Sequence, residues 1–275
     1  MQIKSTTGIR KITASMKMVS AAKLKGDETR LKVASPFNAW TYTLCPPPKE
    51  IDDFVTFEEL PQKVLIVPFT SDKGLCGGIN SFIFRGTRKC ITKLKQQGKE
   101  CDIVLFGEKG RNQMRRVFGD KIVRTGTDIV SPGTYSLATA LTSEIFAAGG
   151  QDYDAIVLIY NHFVNPAVYK QMYKVITPMV AVGEDNETLL DYEVDGIKNE
   201  VFADLYEYMV ASQVYHSFMD GAASEQSSRM AAMENASNNA GEMISQLTLK
   251  YNRARQSRIT TELIEIISGA AALDD

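Results

Sequence analysis

At 275 residues the chain is long enough to bury a full core in one or two domains. Its net charge of −2 gives no global case for nucleic-acid binding, and no run approaches the roughly 18 apolar residues that cross a bilayer. The start lacks the apolar centre of a signal peptide, and Cys45, Cys76, Cys90 and Cys101 stand in neither zinc nor thioredoxin spacing, so the chain reads as a soluble protein of a reducing compartment with small buried thiols.

No proline occurs before Pro36, and Ile9, Ile12, Met16, Val19, Lys23, Gly26, Arg30 and Val33 step by threes and fours like a coiled-coil seam. Residues 1–35 are therefore expected to form one long N-terminal helix, capped at Ser5, Thr6 or Thr7 and stopped by Pro36. It is basic, with Lys4, Arg10, Lys11, Lys17, Lys23, Lys25, Arg30 and Lys32 set against Asp27 and Glu28. Residues 36–61 read as a linker. Within it Pro46, Pro47 and Pro48 predict a stiff extended spacer, beside the acids Glu50, Asp52, Asp53, Glu58 and Glu59.

The period then changes, and residues 62–198 read as an α/β domain. Val64–Val67 has the continuous apolar character of a buried strand and runs into a glycine-rich turn, Ser71–Gly78. A helix over about 80–97 would bury Ile83, Ile91 and Leu94. Asp102–Phe106 predicts a second strand, Lys109–Val117 a basic helix, 121–124 a short strand and 137–148 a helix. Ala155–Tyr160 is the clearest later strand, and Tyr169–Pro178 alternates like a sheet edge or hairpin arm. Strands alternating with helices predict a small, mostly parallel sheet covered by helices. Acidic residues gather after it, at Asp185, Glu187, Asp191, Glu193, Asp195, Glu200, Asp204 and Glu207.

Residues 199–275 read as a C-terminal helix, free of proline over about seventy residues and roughly 100 Å long at the helical rise. Its first part is bulky, with Phe202, Tyr206, Tyr208, Tyr215 and Phe218, which suits packing on a globular domain. Ala223, Ala231, Ala232, Ala236 and Ala240 then thin it. Met230, Met233, Ser237, Ala240, Ile244, Leu247, Tyr251 and Ala254 form a seam, which continues into the wetter Arg258, Thr261, Glu265 and Ser268. Two long helices at opposite ends of one chain are expected to pack against each other.

Little in the chain nominates an active site. The Ser71–Asn80 turn follows a strand and opens a helix, but its spacing fits neither the dinucleotide fingerprint nor the P-loop, so it reads as a structural or interface turn. His162 and His216 stand outside any metal spacing, with only Asn161 and Asn165 as close polar company for His162. Asn252, Arg253, Arg255, Gln256 and Arg258 bring long donors onto a thin helix, and arginine forks suit carboxylates of another chain. The pattern leaves open a coiled-coil scaffold or adaptor with an α/β head, and a nucleotide enzyme acting at Ser71–Asn80.

Three separated blocks carry a resemblance. They are Arg10–Lys23 (RKITASMKMVSAAK), Thr70–Asn80 (TSDKGLCGGIN), and the run through Ser224–Gln226, Arg229–Met233, Tyr251–Gln256 and Ile259–Ala270. Across nearly its whole length the chain resembles the gamma-subunit family of rotary F-type ATP synthases, in a mitochondrial-like form. The resemblance implies an antiparallel coiled coil of the terminal helices with an inserted Rossmann-like α/β domain. It implies a non-catalytic central rotor shaft that couples rotation of a membrane c-ring to ATP synthesis or hydrolysis. The implied partners are the alpha3–beta3 catalytic hexamer, delta/epsilon-type foot subunits and the c-ring. No cofactor is expected on this chain; ATP, ADP and magnesium belong to partner subunits. The implied location is the matrix side of the mitochondrial inner membrane, peripherally held, or alternatively the cytoplasmic face of a bacterial membrane.

Carried over by position, Arg255 and Gln256 would form a catch on a beta-subunit loop, and Lys73 a collar contact with an acidic beta rim. Met16 would face the beta lever region with Arg229 and Glu262 nearby on the returning helix. Lys11 and Lys17 would lie on a basic track. The lead-in before Ile3 is shorter than the family's, Ala14 and Ser15 stand where the family often has lysine and alanine, and the cysteine-bearing insert of the chloroplast form has no counterpart.

Overall fold

The computed structural model describes residues 2–51, 57, 60–129, 133–178 and 193–271. They divide into two units, Ser20–Arg229 in one, and the residues up to Val19 with those from Met230 onward in the other. Two long helices, α1 (Gln2–Asn38, 37 residues) and α5 (Lys198–Ala271, 74 residues), contribute to both.

The larger unit is built on a six-stranded sheet. Its strands are β1 (Lys49–Glu50), β2 (Lys63–Pro68), β3 (Glu100–Phe106), β4 (Ile122–Gly126), β5 (Ala155–Asn165) and β6 (Val168–Ile176), in the order β1-β6-β5-β2-β3-β4. The pairs β2–β3, β2–β5 and β3–β4 are parallel, whereas β5–β6 and β6–β1 are antiparallel. The parallel strands read as continuous apolar runs because both faces are covered. Alternate residues serve alternate cores. Leu65, Val67, Val104, Phe106, Ile156, Leu158 and Tyr160 meet α4 (Tyr135–Ala147) and Tyr206, Met209, Val210 and Val214 of α5. Val64, Ile66, Ile103, Leu105, Val157 and Ile159 meet Ile83, Ile91 and Leu94 of α2 (Ile79–Gln96) and Met114 of α3 (Glu108–Phe118).

Several expectations need correction. Of the two readings of Tyr169–Pro178 the hairpin arm holds, since β6 pairs antiparallel with β5, and the sheet edge does not, since β1, a two-residue strand inside the expected linker, pairs outside it through Lys49 with Tyr173 and Glu50 with Met172. Pro36 does not stop α1; the helix continues to Asn38 and a 3-10 turn follows over Ala39–Thr43. In the last turn its missing N–H forgoes one bond and its ring crowds the carbonyl four residues back, and the helix ends two residues beyond it. Ser5, Thr6 and Thr7 are not caps either, because the helix already runs through them and Thr6 and Thr7 donate back to the carbonyls of Gln2 and Ile3. The acidic stretches at 52–59 and 182–192 lie, apart from Phe57, outside the described residues.

In the smaller unit α1 and α5 run antiparallel, with Lys17 Nζ donating to Glu234 Oε1 at 2.7 Å. The α5 seam falls where its spacing predicts: Met233 and Ala240 are buried and Met230, Ser237, Ile244 and Leu247 half-buried. The expected continuation through Tyr251, Ala254, Arg258, Thr261, Glu265 and Ser268 is exposed. With Lys17 opposite Glu234, Gln2 falls opposite Leu249, and every described side chain from Thr248 to Gly269 is exposed.

The α1 seam is displaced by one residue from its expected phase. Ile9, Ile12, Val19 and Val33 are more than half exposed. The covered positions are Thr6 and Thr13 in the smaller unit, and Ser20, Leu24, Asp27, Ala34 and Asn38 in the larger. One residue is about 100° of helical rotation, enough to turn the apolar stripe outward. Small hydroxyl side chains line the inside, where Thr13 returns its hydroxyl to the carbonyls of Ile9 and Arg10. The phase has a direct consequence for mutants. Ile12→Gln should change stability by no more than about 0.5 kcal/mol, whereas Ala34→Leu should overpack a buried position and cost about 1–3 kcal/mol. Urea unfolding of the full chain separates the two, and the reverse ranking would contradict the observed phase.

Candidate partner-binding surfaces

In a doubly wound sheet a ligand sits beyond the carboxyl ends of the strands, where the winding reverses. Here the chain steps outward from β2 to β3 and β4, then returns to β5 on the other side of β2, so that point lies between β2 and β5. The glycine-rich turn leaves β2 there, but α5 is laid across the same ground. Ser228 Oγ donates to the Cys76 carbonyl at 2.6 Å, Ser224 Oγ to the Asn161 carbonyl at 3.1 Å and Ser227 Oγ to the Pro166 carbonyl at 2.8 Å. Only small residues permit this approach, and Ala223 and Ser224 are fully buried in it.

The turn itself is braced from within. Asn80 Oδ1 accepts from the Ser71 amide at 3.0 Å, Asn80 Nδ2 donates to Ser71 Oγ at 2.8 Å, and Ser71 Oγ donates to the Lys73 carbonyl at 2.7 Å. The Asp72 carboxylate caps α3 by accepting from the Glu108 amide at 2.8 Å, and it also takes the Ile129 amide at 2.7 Å. Lys73 is left exposed at the tip. Of the four cysteines, all buried and free, Cys45 has its thiol pushed up to about 11 by burial.

The residues expected to bind partners fall into two groups, with Met16 apart from both. Lys11, Lys73, Arg255, Gln256 and Glu262 are exposed, although Glu262 accepts from Arg258 Nε at 2.8 Å. Lys17 and Arg229 are engaged within the chain, Lys17 with Glu234 and the buried Arg229 with Glu225 and, at 3.1 Å, Gln226. Met16 is half-buried. The helix register does not bring Met16 and Glu262 together, since Met16 faces the stretch of α5 around Asn235 and Glu262 lies beyond the reach of α1.

Sequence reasoning missed a buried polar cluster in the larger unit. Asp220 on α5 accepts from the Phe163 amide at 2.9 Å and meets His162 Nδ1 at 2.7 Å. His216, one turn earlier, lies 3.3 Å from Lys174 Nζ, and Lys174 is itself buried under the Tyr160 ring. Desolvation pushes Lys174 down to about 7 against the pull of Asp220, and His216 down to about 4. His162 is raised, chiefly by its hydrogen bond to Asp220. Tyr42, Cys45 and Lys170 complete the charged and titratable surroundings. These residues are far apart in sequence, and no spacing rule joins β5, β6 and α5.

A sheet whose strand-end crevice is filled by the chain's own helix, joined in sequence to two long helices that pair, fits a shaft-type subunit. A family model described as ATP synthase matches residues 1–273. The chain belongs to the ATP synthase gamma-chain family. It is 38% identical to the mitochondrial gamma subunit of Rattus norvegicus over 275 residues, covering 99% of this chain and 97% of that one. Against the gamma chain of Paracoccus denitrificans it is 38% identical over 285 residues, again covering 99% and 97%. Among solved structures, the central stalk and c-ring of the Tetrahymena thermophila mitochondrial ATP synthase matches with TM-score 0.63 and 28% identity, covering 82% of this chain and 99% of that one. The Euglena gracilis mitochondrial ATP synthase shares the fold at TM-score 0.80 and 22% identity, covering 99% and 92%. The chain is thus a rotor-shaft subunit that couples to catalytic subunits and is not itself an enzyme. Among the described residues no helix is long and apolar enough to cross a membrane.

The buried cluster sets a pH dependence. Lys174 is depressed on folding from 10.5 to about 7, so the unfolded chain holds more protons between those values and stability rises with pH across that window. His216 acts in the same sense between about 4 and 6.5. His162, raised, acts oppositely: its contribution is complete below 6.5 and is lost as pH climbs through its folded value. Lys174→Met should remove the stability gain between pH 7 and 9, read as a flattened midpoint in denaturant titrations at the two pH values. A wild-type slope retained in the variant would refute the assignment.

Proposed function

We propose that this chain is the central rotor of a proton-translocating ATP synthase. In this reading the smaller unit turns inside an alpha3–beta3 hexamer, and the α/β unit engages delta/epsilon-type foot subunits and a membrane c-ring. In the same reading the complex lies at the matrix side of a mitochondrial inner membrane, which the mitochondrial relative from rat supports, with the cytoplasmic face of a bacterial membrane as the alternative. The observation that carries the reading is the bare stretch of α5 from Thr248 to Gly269, long enough to reach into a partner and covered by nothing in its own chain among the described residues.

The coupling is one of binding free energies. A rotor shifts a catalytic site between open and closed states only as far as its contacts with the two states differ. An off-axis, asymmetric pair of helices offers each of three sites a different face in turn. Arg255 and Gln256 are proposed as a catch that engages one beta subunit at a time, and Lys73 as a collar contact. Lys11 is assigned to the basic track. Lys17 belongs to it only when it leaves Glu234, an exposed pair of small net worth. Met16 is assigned to the lever region, with Arg229 and Glu262 on the returning helix.

Removing one charge-assisted hydrogen bond typically costs about 1.5–3 kcal/mol, a tenfold effect or more. Arg255→Ala and Gln256→Ala are each expected to lower coupled ATP turnover about tenfold in the assembled complex, with assembly retained. Single-molecule rotation and steady-state hydrolysis measure this. Unchanged torque and turnover in both variants would defeat the catch.

A further inference from the structure

The sheet face turned away from α5 carries a charge that folding does not require. The two helices that cover it, α2 and α3, contain five and four lysines and arginines against a single acid, Glu108, in a chain whose net charge is −2. Their apolar sides are spent inward through Ile83, Ile91, Leu94 and Met114, and Phe84 of α2 meets Phe118 of α3 with ring centroids 6.2 Å apart. The cations are left on one continuous outer surface.

That surface is charged and has little else. Arg85, Arg88 and Lys95 recur at whole turns along the outward side of α2, and Arg115 and Arg116 stand exposed on α3. Arg88, Lys95, Arg115 and Arg116 enter no ion pair among the described residues, although Arg124 on β4 finds Glu144 at 2.7 Å. Like charges three and four positions apart, as Arg85 with Arg88 and Arg111 with Arg115, repel and cost the helices stability. Of the large apolar side chains on both helices only Val117 is exposed. Protein interfaces are anchored by apolar and aromatic residues and are poor in lysine, so this face lacks what grips a protein partner and has what a diffuse anionic surface attracts.

We propose that the outer face of α2 and α3 docks on the anionic headgroups of a lipid bilayer. This rests on the rotor reading, in which the α/β unit engages a c-ring and so stands close above the membrane. Attraction to headgroups acts within about a Debye length, roughly 8 Å at physiological salt, and is the same at every angle around the ring. It steadies the foot of a turning shaft without stopping it, where ion pairs with a fixed acidic protein would favour one angle. Long lysine and arginine stems carry the charge to the surface while the helices stay outside the hydrocarbon.

Co-sedimentation of the full chain with vesicles tests this, using phosphatidylcholine alone or with about 30 mol% phosphatidylserine at about 0.1 M salt. Wild type should bind the anionic vesicles alone and be released at about 1 M salt. Changing Arg88, Lys95, Arg115 and Arg116 together to glutamine should weaken binding about a hundredfold or more, without lowering the unfolding midpoint. The same change at four exposed lysines of the basic α1, Lys4, Lys23, Lys25 and Lys32, should weaken it less than about fivefold. An equal loss in the α1 variant, or no binding of anionic vesicles by wild type whether or not polyglutamate binds, would overturn the lipid surface and leave the rotor reading standing. A chain that binds anionic vesicles but does not assemble with an alpha–beta hexamer would overturn the rotor reading and not the surface.

Discussion

One uninterrupted helical backbone, from Lys198 to Ala271, has to satisfy several different surroundings, and the rest of the structure follows from how its side chains change along the way. Bulk comes first, with Tyr206, Met209, Val210 and Val214 closing one face of the sheet. Small and hydroxyl residues come next, where Ala223, Ser224, Ser227 and Ser228 pass the strand ends. A three-four seam follows against α1, and after Leu247 the helix is exposed on all sides. Nucleation is the costly step of helix formation, so a bare segment extends cheaply from a covered one. Packing further back keeps the exposed turns helical, helped slightly by pairs such as Arg258 with Glu262.

The same continuity decides what occupies the strand ends of the α/β unit. Its winding produces a reversal between β2 and β5 and a glycine-rich turn at the place where related architectures hold a phosphate. The helix occupies that ground and the turn's groups are spent on the chain itself: Ser71 on Asn80, Asp72 on α3, and the Cys76 carbonyl on Ser228. The crevice has become a joint. A polar cluster beside it, Lys174, His216, Asp220 and His162, ties α5 to the β5–β6 hairpin by charge as well as by packing.

The sequence was legible where burial was symmetric and local. Val64–Val67, Asp102–Phe106 and Ala155–Tyr160 are apolar on both faces, and the α5 seam uses residues that periodicity detects. It was illegible in α1, where Thr6, Thr13 and Ser20 line the inside and Ile9, Ile12 and Val19 the outside, so the apolar stripe marked the wrong face. β1 is too short to carry a period. Among the site residues, exposure of Lys11, Lys73, Arg255 and Gln256 follows from their types, but the capture of Lys17 by Glu234 depends on a register across 217 positions. The partners of His162 and Lys174 were hidden for the same reason.

The reversed stripe on α1 and the end of α5 pose the same physical problem. Ile259, Leu263, Ile264, Ile266 and Ile267 are all about half or more exposed, and at 100° per residue they occupy one broad side of the helix. Thr261, Glu262, Glu265 and Ser268 take the other. Seam positions extrapolated from Met230 onward fall on that polar side, so the heptad that serves the pairing with α1 does not serve whatever meets the tip. A helix that changes its apolar face along its length is patterned for two different neighbours. For a shaft, an apolar surface against its housing has a mechanical advantage. Dispersion contacts are short-ranged and non-directional, so rotation exchanges one set for another of similar energy, whereas hydrogen-bonded contacts hold particular angles. Apolar contact at the tip and sparse polar contact at Arg255 and Gln256 would divide bearing from catch along one helix.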